Sequence, residues 1–331
     1  MKRIQIKTLL KRHNAILGLI FMIILAACIN KSFLTLENLT NVLRQASMNG
    51  MIAVGMTMVI ICGSIDLSVG TMIGLCGYIA LYFSNYSLIL AVIVPLLTGV
   101  IVGTINGFLI NKIKIAPFIA TLATMMAVKG TTLVLTNENT YFASNSIEQF
   151  QYIGRGLLAP YVTIPSVMFI CCAVAGAYIL RHTMLGRNMY AVGGNTEAAR
   201  MMGVNVEKTL MFSHIFTGGM AALAGITLVS RVGAAYPLAG EGKELDVIAA
   251  CVIGGTALTG GKGHISGTFI GVLIMGMLTN IFNMQSLLNP FWEKVIIGIL
   301  VLIVVLIQSA SESGVTFGKK YKNINERKDI K

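Results

Sequence analysis

Asp66 is the only acid between Glu37 and Glu138, and it lies in Cys62-Gly63-Ser64-Ile65-Asp66-Leu67-Ser68-Val69-Gly70, between two long apolar runs. A charge in such surroundings is costly and marks a functional suspect. Two roles fit Asp66 equally well. It can cap the helix that follows, where a carboxylate favours exposed N–H groups, or it can belong, with Ser64, Ser68 and Gly70, to a path or gate through the apolar region. A proton relay fits less well, because relays use several acids or histidines and here there is one.

A second group lies in the hydrophilic stretch 181–208. Asn195 or Thr196 can cap a short helix with Glu197 in its first turn and Gly203 where it would stop. Such a helix between two apolar runs suits docking to a partner, and at 28 residues the stretch is long for a plain connection. A third group, Glu244, Asp246 and the pair Gly254-Gly255, surrounds an apolar stretch too short to cross a bilayer alone.

Catalytic sets are missing. His13, His182, His214 and His264 are scattered without metal-ligand spacing, and no G-x-S-x-G occurs. The stretch from Gly255 to Gly263 resembles a phosphate-binding loop, but its first glycine comes one residue early and Gly263 stands where magnesium needs Ser or Thr. No enzyme activity, ATP site, metal or cofactor is expected. The six cysteines lie within apolar runs and read as small core residues.

The elements that position these residues follow from composition. Of 331 residues 55% are hydrophobic and 11% charged, with a mean hydropathy of +0.79. Soluble domains carry about 25% charged residues, so the chain is a multi-pass membrane protein surrounded by lipid. A span needs roughly 20 apolar residues. Ten stretches qualify, approximately 14–30, 46–62, 67–83, 88–110, 115–135, 162–180, 208–230, 246–258, 264–283 and 292–309. Residues 35–47 read as a helix lying along the interface. Leu25-Ala26-Ala27-Cys28 mimics a lipoprotein cleavage site, but the apolar stretches beyond it favour an uncleaved first span. The fold class is therefore an all-α transmembrane bundle of about ten spans.

Charge orients it. With both termini cytoplasmic, 18 of the 25 Lys and Arg fall in inner segments, as the positive-inside rule requires. The net charge of +12 is thereby read as topology, with no role for nucleic acid. The expected organisation is a basic cytoplasmic N-terminus (1–13), one transmembrane domain (14–309) with a cytoplasmic loop at 181–208, and a basic cytoplasmic tail (310–331). Stretch 246–258 is the weak point: it reads as a broken helix lining a cavity, and a fully re-entrant segment would change the parity. Val69-Gly-Thr-Met-Ile-Gly74 and Ser266-Gly-Thr-Phe-Ile-Gly271 form a faint internal repeat, or only the small-residue spacing common to packed membrane helices.

Glu197-Ala198-Ala199 followed by Gly203 resembles the EAA loop through which permease subunits of bacterial ABC importers engage their ATPases. The order of Gly63-Ser-Ile-Asp-Leu-Ser-Val-Gly70, Gly193-Gly194-Asn195, Glu244-Leu-Asp-Val-Ile-Ala-Ala250, Gly254-Gly255-Thr256 and Gly260-Gly-Lys-Gly263 resembles the ribose-type monosaccharide permeases over residues 15–309. The chain lacks the later Leu-Pro of the general EAA pattern and has Ser64 where Gly is usual. The resemblance implies a subunit of the bacterial inner membrane. It implies a second permease copy or close paralogue sharing one sugar pathway, and cytosolic ATPase domains, often fused in tandem. It also implies an extracytoplasmic sugar-binding protein. Gly193, Asn195, Glu197, Ala198, Ala199 and Gly203 would couple to the ATPase, while Ser64, Asp66, Ser68, Gly70, Asp246, Gly254 and Gly255 would form the path or gate. Outer loops 136–161 and 231–246 hold Glu138, Glu148, Glu241, Glu244 and Asp246, which would grip the binding protein or simply be solvated.

Overall fold

The computed structural model describes residues 14–142, 148–285, 289 and 291–312; the basic segments 1–13 and 313–331 fall outside the described residues. Thirteen α-helices make up most of the described structure. In chain order these are α1 (Asn14–Ile29), α2 (Leu36–Ile61), α3 (Val69–Phe83), α4 (Leu88–Asn111), α5 (Pro117–Thr136), α6 (Glu148–Arg155) and α7 (Ile164–His182). They continue as α8 (Met184–Gly194), α9 (Thr196–Met201), α10 (Val206–Val232), α11 (Lys243–Ile253), α12 (Ile265–Met284) and α13 (Phe291–Glu312). Each of the ten apolar stretches coincides with one helix. Helices α4, α5, α7, α10 and α12 are long and apolar enough to cross a membrane.

Helix α2 is the axis of the bundle. From Gly50 to Ile61 every residue is buried. Helices α7, α11 and α12 pack on one side of it, and α10 on the other with α3 and α4 beyond. Small residues set these approaches, as Gly99 and Gly103 of α4 lie against the backbone of Gly218 and His214 on α10. The periphery is inverted relative to a soluble protein. Phe21, Ile89, Phe118, Val174 and Leu302 all point outward, an apolar surface that lipid must cover.

One sequence expectation changes. Residues 36–47 are the first turns of α2 and do not form a separate interfacial helix. Their polar groups find partners within the bundle, since Asn38 and Asn280 of α12 exchange amide bonds of 3.1 and 3.0 Å, and Ala46 packs on Gly276. The stretch 246–258 contains only α11, whose 11 residues reach about 16 Å at 1.5 Å per residue, half of a hydrocarbon core of about 30 Å. It starts at Gly242 and stops at Gly254.

The end of the bundle away from α8 and α9 is capped by short pieces. Strand Tyr141–Phe142 pairs antiparallel with Ala234–Ala235, and α6 lies on the end of α10. There Gly154 N–H donates to Ser230 Oγ at 2.8 Å, the Ser230 hydroxyl donates to the Phe150 carbonyl, and Arg155 Nε donates to the Arg231 carbonyl at 2.6 Å. The segments 136–161 and 231–246 are thus joined into one cap.

Candidate functional site

The sequence-predicted residues separate into three neighbourhoods. The first is the break between α2 and α3. Asp66, Ser68, Asn106 and His214 have no solvent exposure. Asp66 Oδ1 accepts from Ser68 N–H at 3.0 Å and from Ser68 Oγ at 2.6 Å. Asn106 Nδ2, from α4, lies 3.2 Å from both carboxylate oxygens, and His214 Nδ1, from α10, lies 3.2 Å from Oδ2. Ser64 Oγ meets the other nitrogen of the imidazole, 3.0 Å from Nε2. The carboxylate thus holds Ser68, the N-cap residue of α3, without bonding any N–H of the helix itself, and ties the break to two other helices. A buried carboxylate is tolerable only with this many partners. Gly70, one turn on, lies against the carbonyl of Gly240 and the carboxylate of Glu244, so the first turn of α3 lies beside the start of α11.

The second neighbourhood is the loop 181–208, which contains two helices. Asn195 caps α9, its Oδ1 accepting from Ala198 N–H at 2.9 Å; Thr196 instead bonds back to Val192. After Met202, Gly203 turns the chain with φ +82°, a left-handed conformation that side chains resist. Ala199 is buried and anchors the helix. Glu197 and Arg200 pair at 3.9 Å on the outward face, with Met201 and Met202 89% and 73% exposed beside them. An exposed methionine pair on a capped helix is an adaptable apolar contact surface. Helix α8, which the sequence reading left as loop, carries this surface.

Gly193, at the end of α8, connects this surface to the interior. A Cβ there would overlap the carbonyl oxygen of Ile61, the last residue of α2, and would also crowd Gly261 N. Gly261 N–H itself donates to Ile61 O at 2.9 Å. Tyr190 of α8 donates from its hydroxyl to Gly263 O at 2.7 Å. Main chain from α8, from the break after α2 and from the loop after α11 thus meets at one junction. Gly194 packs its backbone on Gly261, while a Cβ on Gly194 itself would meet open space.

The third neighbourhood is α11. Asp246 is held by Lys243 Nζ at 3.1 Å and by Lys294 Nζ of α13 at 3.1 and 3.2 Å. Gly254 packs on the backbone of Gly267 in the first turn of α12, whereas Gly255, at φ +92°, faces open space. At the centre Thr57 of α2 meets Thr268 of α12 at 2.6 Å and Cys251 of α11 at 3.4 Å. The two halves of the faint repeat share this logic, since Gly70 and Gly267 both sit in a first helical turn against another backbone. Of the five acids in segments 136–161 and 231–246, Asp246 is paired internally, Glu241 pairs with Lys129 at 2.8 Å and Glu244 is buried; Glu138 and Glu148 are exposed.

His214 and Asn106 were missed by the sequence reading. Asn106 had a signal, an amide in the apolar run 88–110. His214 had one too, an ionisable ring in the apolar run 208–230, but only the fold brings α10 to Asp66.

Residues 38–305 match the family model described as branched-chain amino acid transport system / permease component. The chain is 42% identical to the ribose import permease protein RbsC of Bacillus subtilis, over 92% of this chain and 95% of that protein. It is 38% identical to RbsC of Escherichia coli K12 over 94% and 98%. It is 34% identical to the xylose transport system permease protein XylH of the same strain over 85% and 87%. No solved structure matches the chain.

Proposed function

The chain belongs to the family of branched-chain amino acid transport system permease components, and from that premise we propose that it is the membrane subunit of an ATP-driven importer of a monosaccharide such as ribose or xylose. The substrate class rests on relatives named for ribose and xylose. The protein sits in the bacterial cytoplasmic membrane as a multi-pass permease and leaves hydrolysis to a separate ATPase. Its other partners are an extracytoplasmic sugar-binding protein and a second permease copy, with the ATPase domains separate or fused in tandem. Ten crossings with both termini, 1–13 and 310–331, in the cytoplasm agree with the charge distribution. In the crossing that contains α11, the non-helical stretch before Lys243 supplies the remaining length.

The observation that carries the mechanism is the junction at Gly193. The ATPase takes hold of α9 through Glu197, Met201 and Met202, with Asn195, Ala198, Ala199 and Gly203 shaping the helix. Closure of the ATPase displaces α8, and α8 cannot move without Ile61 and the 254–263 loop, because their backbones are in contact. Asp66, Ser64 and Ser68 hold the α2–α3 break to α4 and α10, while Gly254 and Gly255 hinge the other break; Gly70 and Asp246 lie where α3 and α11 begin. Moving the two breaks relative to this anchor changes which side of the bundle is open, a switch between discrete packings.

Reconstitution in proteoliposomes tests the proposal. Uptake of labelled ribose or xylose is expected only when ATPase, ATP and loaded binding protein are present. Gradient-driven uptake by the chain alone identifies a secondary transporter and overturns it. Glu197→Arg is expected to abolish copurification of the ATPase while membrane insertion is unchanged.

A further inference from the structure

Helix α11 is a half-helix hinged at both ends, with left-handed backbone at Gly242 (φ +81°) before it and at Gly255 (φ +92°) after it. Glycine adopts such bends without steric penalty. The inner end of α11 is held to α12 by backbone contact, Gly254 on Gly267 and Gly271 on the Ala250 carbonyl. The outer ends are not in such contact, because a cavity of about 280 Å³, lined by Asp246 of α11 and by Met275 and Thr279 of α12, lies there. What spans the gap is the first turn of α13. Lys294 Nζ donates to both carboxylate oxygens of Asp246 at 3.1 and 3.2 Å, and the neighbouring Glu293 accepts from the Thr279 hydroxyl at 2.7 Å. We infer that Glu293 and Lys294 are positioning residues that strap the outer ends of α11 and α12 together and hold the import cycle at rest until the binding protein docks. This rests on the reading of the chain as an importer subunit.

Of the two ammonium groups on Asp246, only that of Lys294 can act in this way. Lys243 lies three residues away on the same helix and moves with it, whereas Lys294 belongs to another element. Asp246 is 5% exposed, and a buried carboxylate that loses a partner is destabilised, so α11 stays where Lys294 can reach it. Glu244, also in the first turn of α11, packs on Gly70 of α3, but its Oε2 has no hydrogen-bond partner and makes no polar tie. Helix α13 itself depends on its first turn, since Ile297 is the one buried side chain among those described in it. At its other end α11 runs into the 254–263 loop and so to the junction at Ile61 and Gly193. Movement of that junction by the ATPase swings α11 against the strap. The Lys294 side chain is half-exposed, and an ion pair open to water is weak. The strap therefore sets a modest barrier to turnover, one that a partner seated on the outer face can lower.

The test uses the assembled importer in proteoliposomes and measures ATP hydrolysis with and without loaded binding protein, and labelled ribose or xylose taken up per ATP. Lys294→Met keeps an apolar stem and removes the charge. It is expected to raise hydrolysis without binding protein roughly three-fold, the scale of a half-exposed ion pair, and to lower uptake per ATP. Lys294→Arg, whose guanidinium can bond both oxygens of Asp246, is expected to restore both quantities. Thr279→Val removes the hydroxyl that holds Glu293 and is expected to act in the same direction as Lys294→Met; it decides the matter where Lys294→Met fails to insert. Hydrolysis without binding protein at the wild-type level in these variants overturns the inference. So does a parallel fall of hydrolysis and uptake with their ratio unchanged, which is what a merely structural role produces, and so does failure of Lys294→Arg to restore the ratio. In each of these cases ATP-dependent uptake by the wild type leaves the importer reading standing. Absence of ATP-dependent uptake in the wild type rejects that reading itself.

Discussion

Asp66 shows how much a single buried side chain can organise. Its four partners come from its own loop, α4 and α10, so removing the carboxylate leaves Asn106 and His214 without it. Asp66→Ala is expected to lower stability by about 1–3 kcal/mol, the usual cost of stranding buried polar groups, and to reduce uptake. Asp66→Asn keeps an acceptor for Ser68 and is expected to lose less. Thermal unfolding of the purified protein in detergent measures both; equal stability of Asp66→Ala and wild type would contradict the anchoring role. The sequence showed Asp66 to be exceptional because charge is scarce around it. It could not show what the residue does, since capping depends on local spacing while the bonds to Asn106 and His214 join residues 40 and 148 positions away.

Among the elements, the proposed mechanism makes α8 and α9 one lever on a main-chain bearing. Gly193→Ala is expected to force Ile61 and α8 apart and to lower uptake by at least about ten-fold, equivalent to roughly 1.4 kcal/mol, with the ATPase still copurifying because α9 is untouched. Asn195→Ala removes the cap of α9, worth about 1 kcal/mol, and is expected to weaken ATPase attachment, read by the fraction retained in pull-down. The comparison of the two variants separates transmission from docking. Helix positions were legible from apolar length, and α9 from its cap and Gly203. Helix α8 was not, because its small and polar residues, Gly186, Asn188, Gly193 and Gly194 among them, give no helical signal of their own and rely on packing. The union of residues 36–47 with α2 was hidden for a related reason. Polar residues at a helix start read as interfacial unless their partners, here Asn280 and Gly276, are known.

For the whole molecule, charge and apolar surface point the same way. Lys112 and Glu207 pair at 2.8 Å at the α9 end, where the bases of the proposed cytoplasmic loops gather. Tyr78, Tyr82, Tyr86 and Tyr141 cluster at the opposite end, a setting in which aromatic rings favour the membrane interface. Cysteines introduced at Thr196 and Glu138, in the chain with Cys28, Cys171 and Cys172 replaced by serine, are expected to react from opposite sides. Glu138→Cys labels in intact cells, and Thr196→Cys labels only after the membrane is opened. Labelling of both from one side would reject the orientation. The class of protein was legible from composition alone. What needed the fold was the assembly of three distant glycine-rich stretches into one joint.

That joint is built on backbone contacts, with the Tyr190 hydroxyl joining them. A coupling built from peptide groups is indifferent to the identity of the residues that surround it, so the outward face of α9 is free to be rewritten without retuning the interior. The stretch 184–205 is in this sense a cartridge: exchanging it for the corresponding stretch of the Bacillus subtilis ribose permease should redirect which motor the protein accepts while its cargo stays the same.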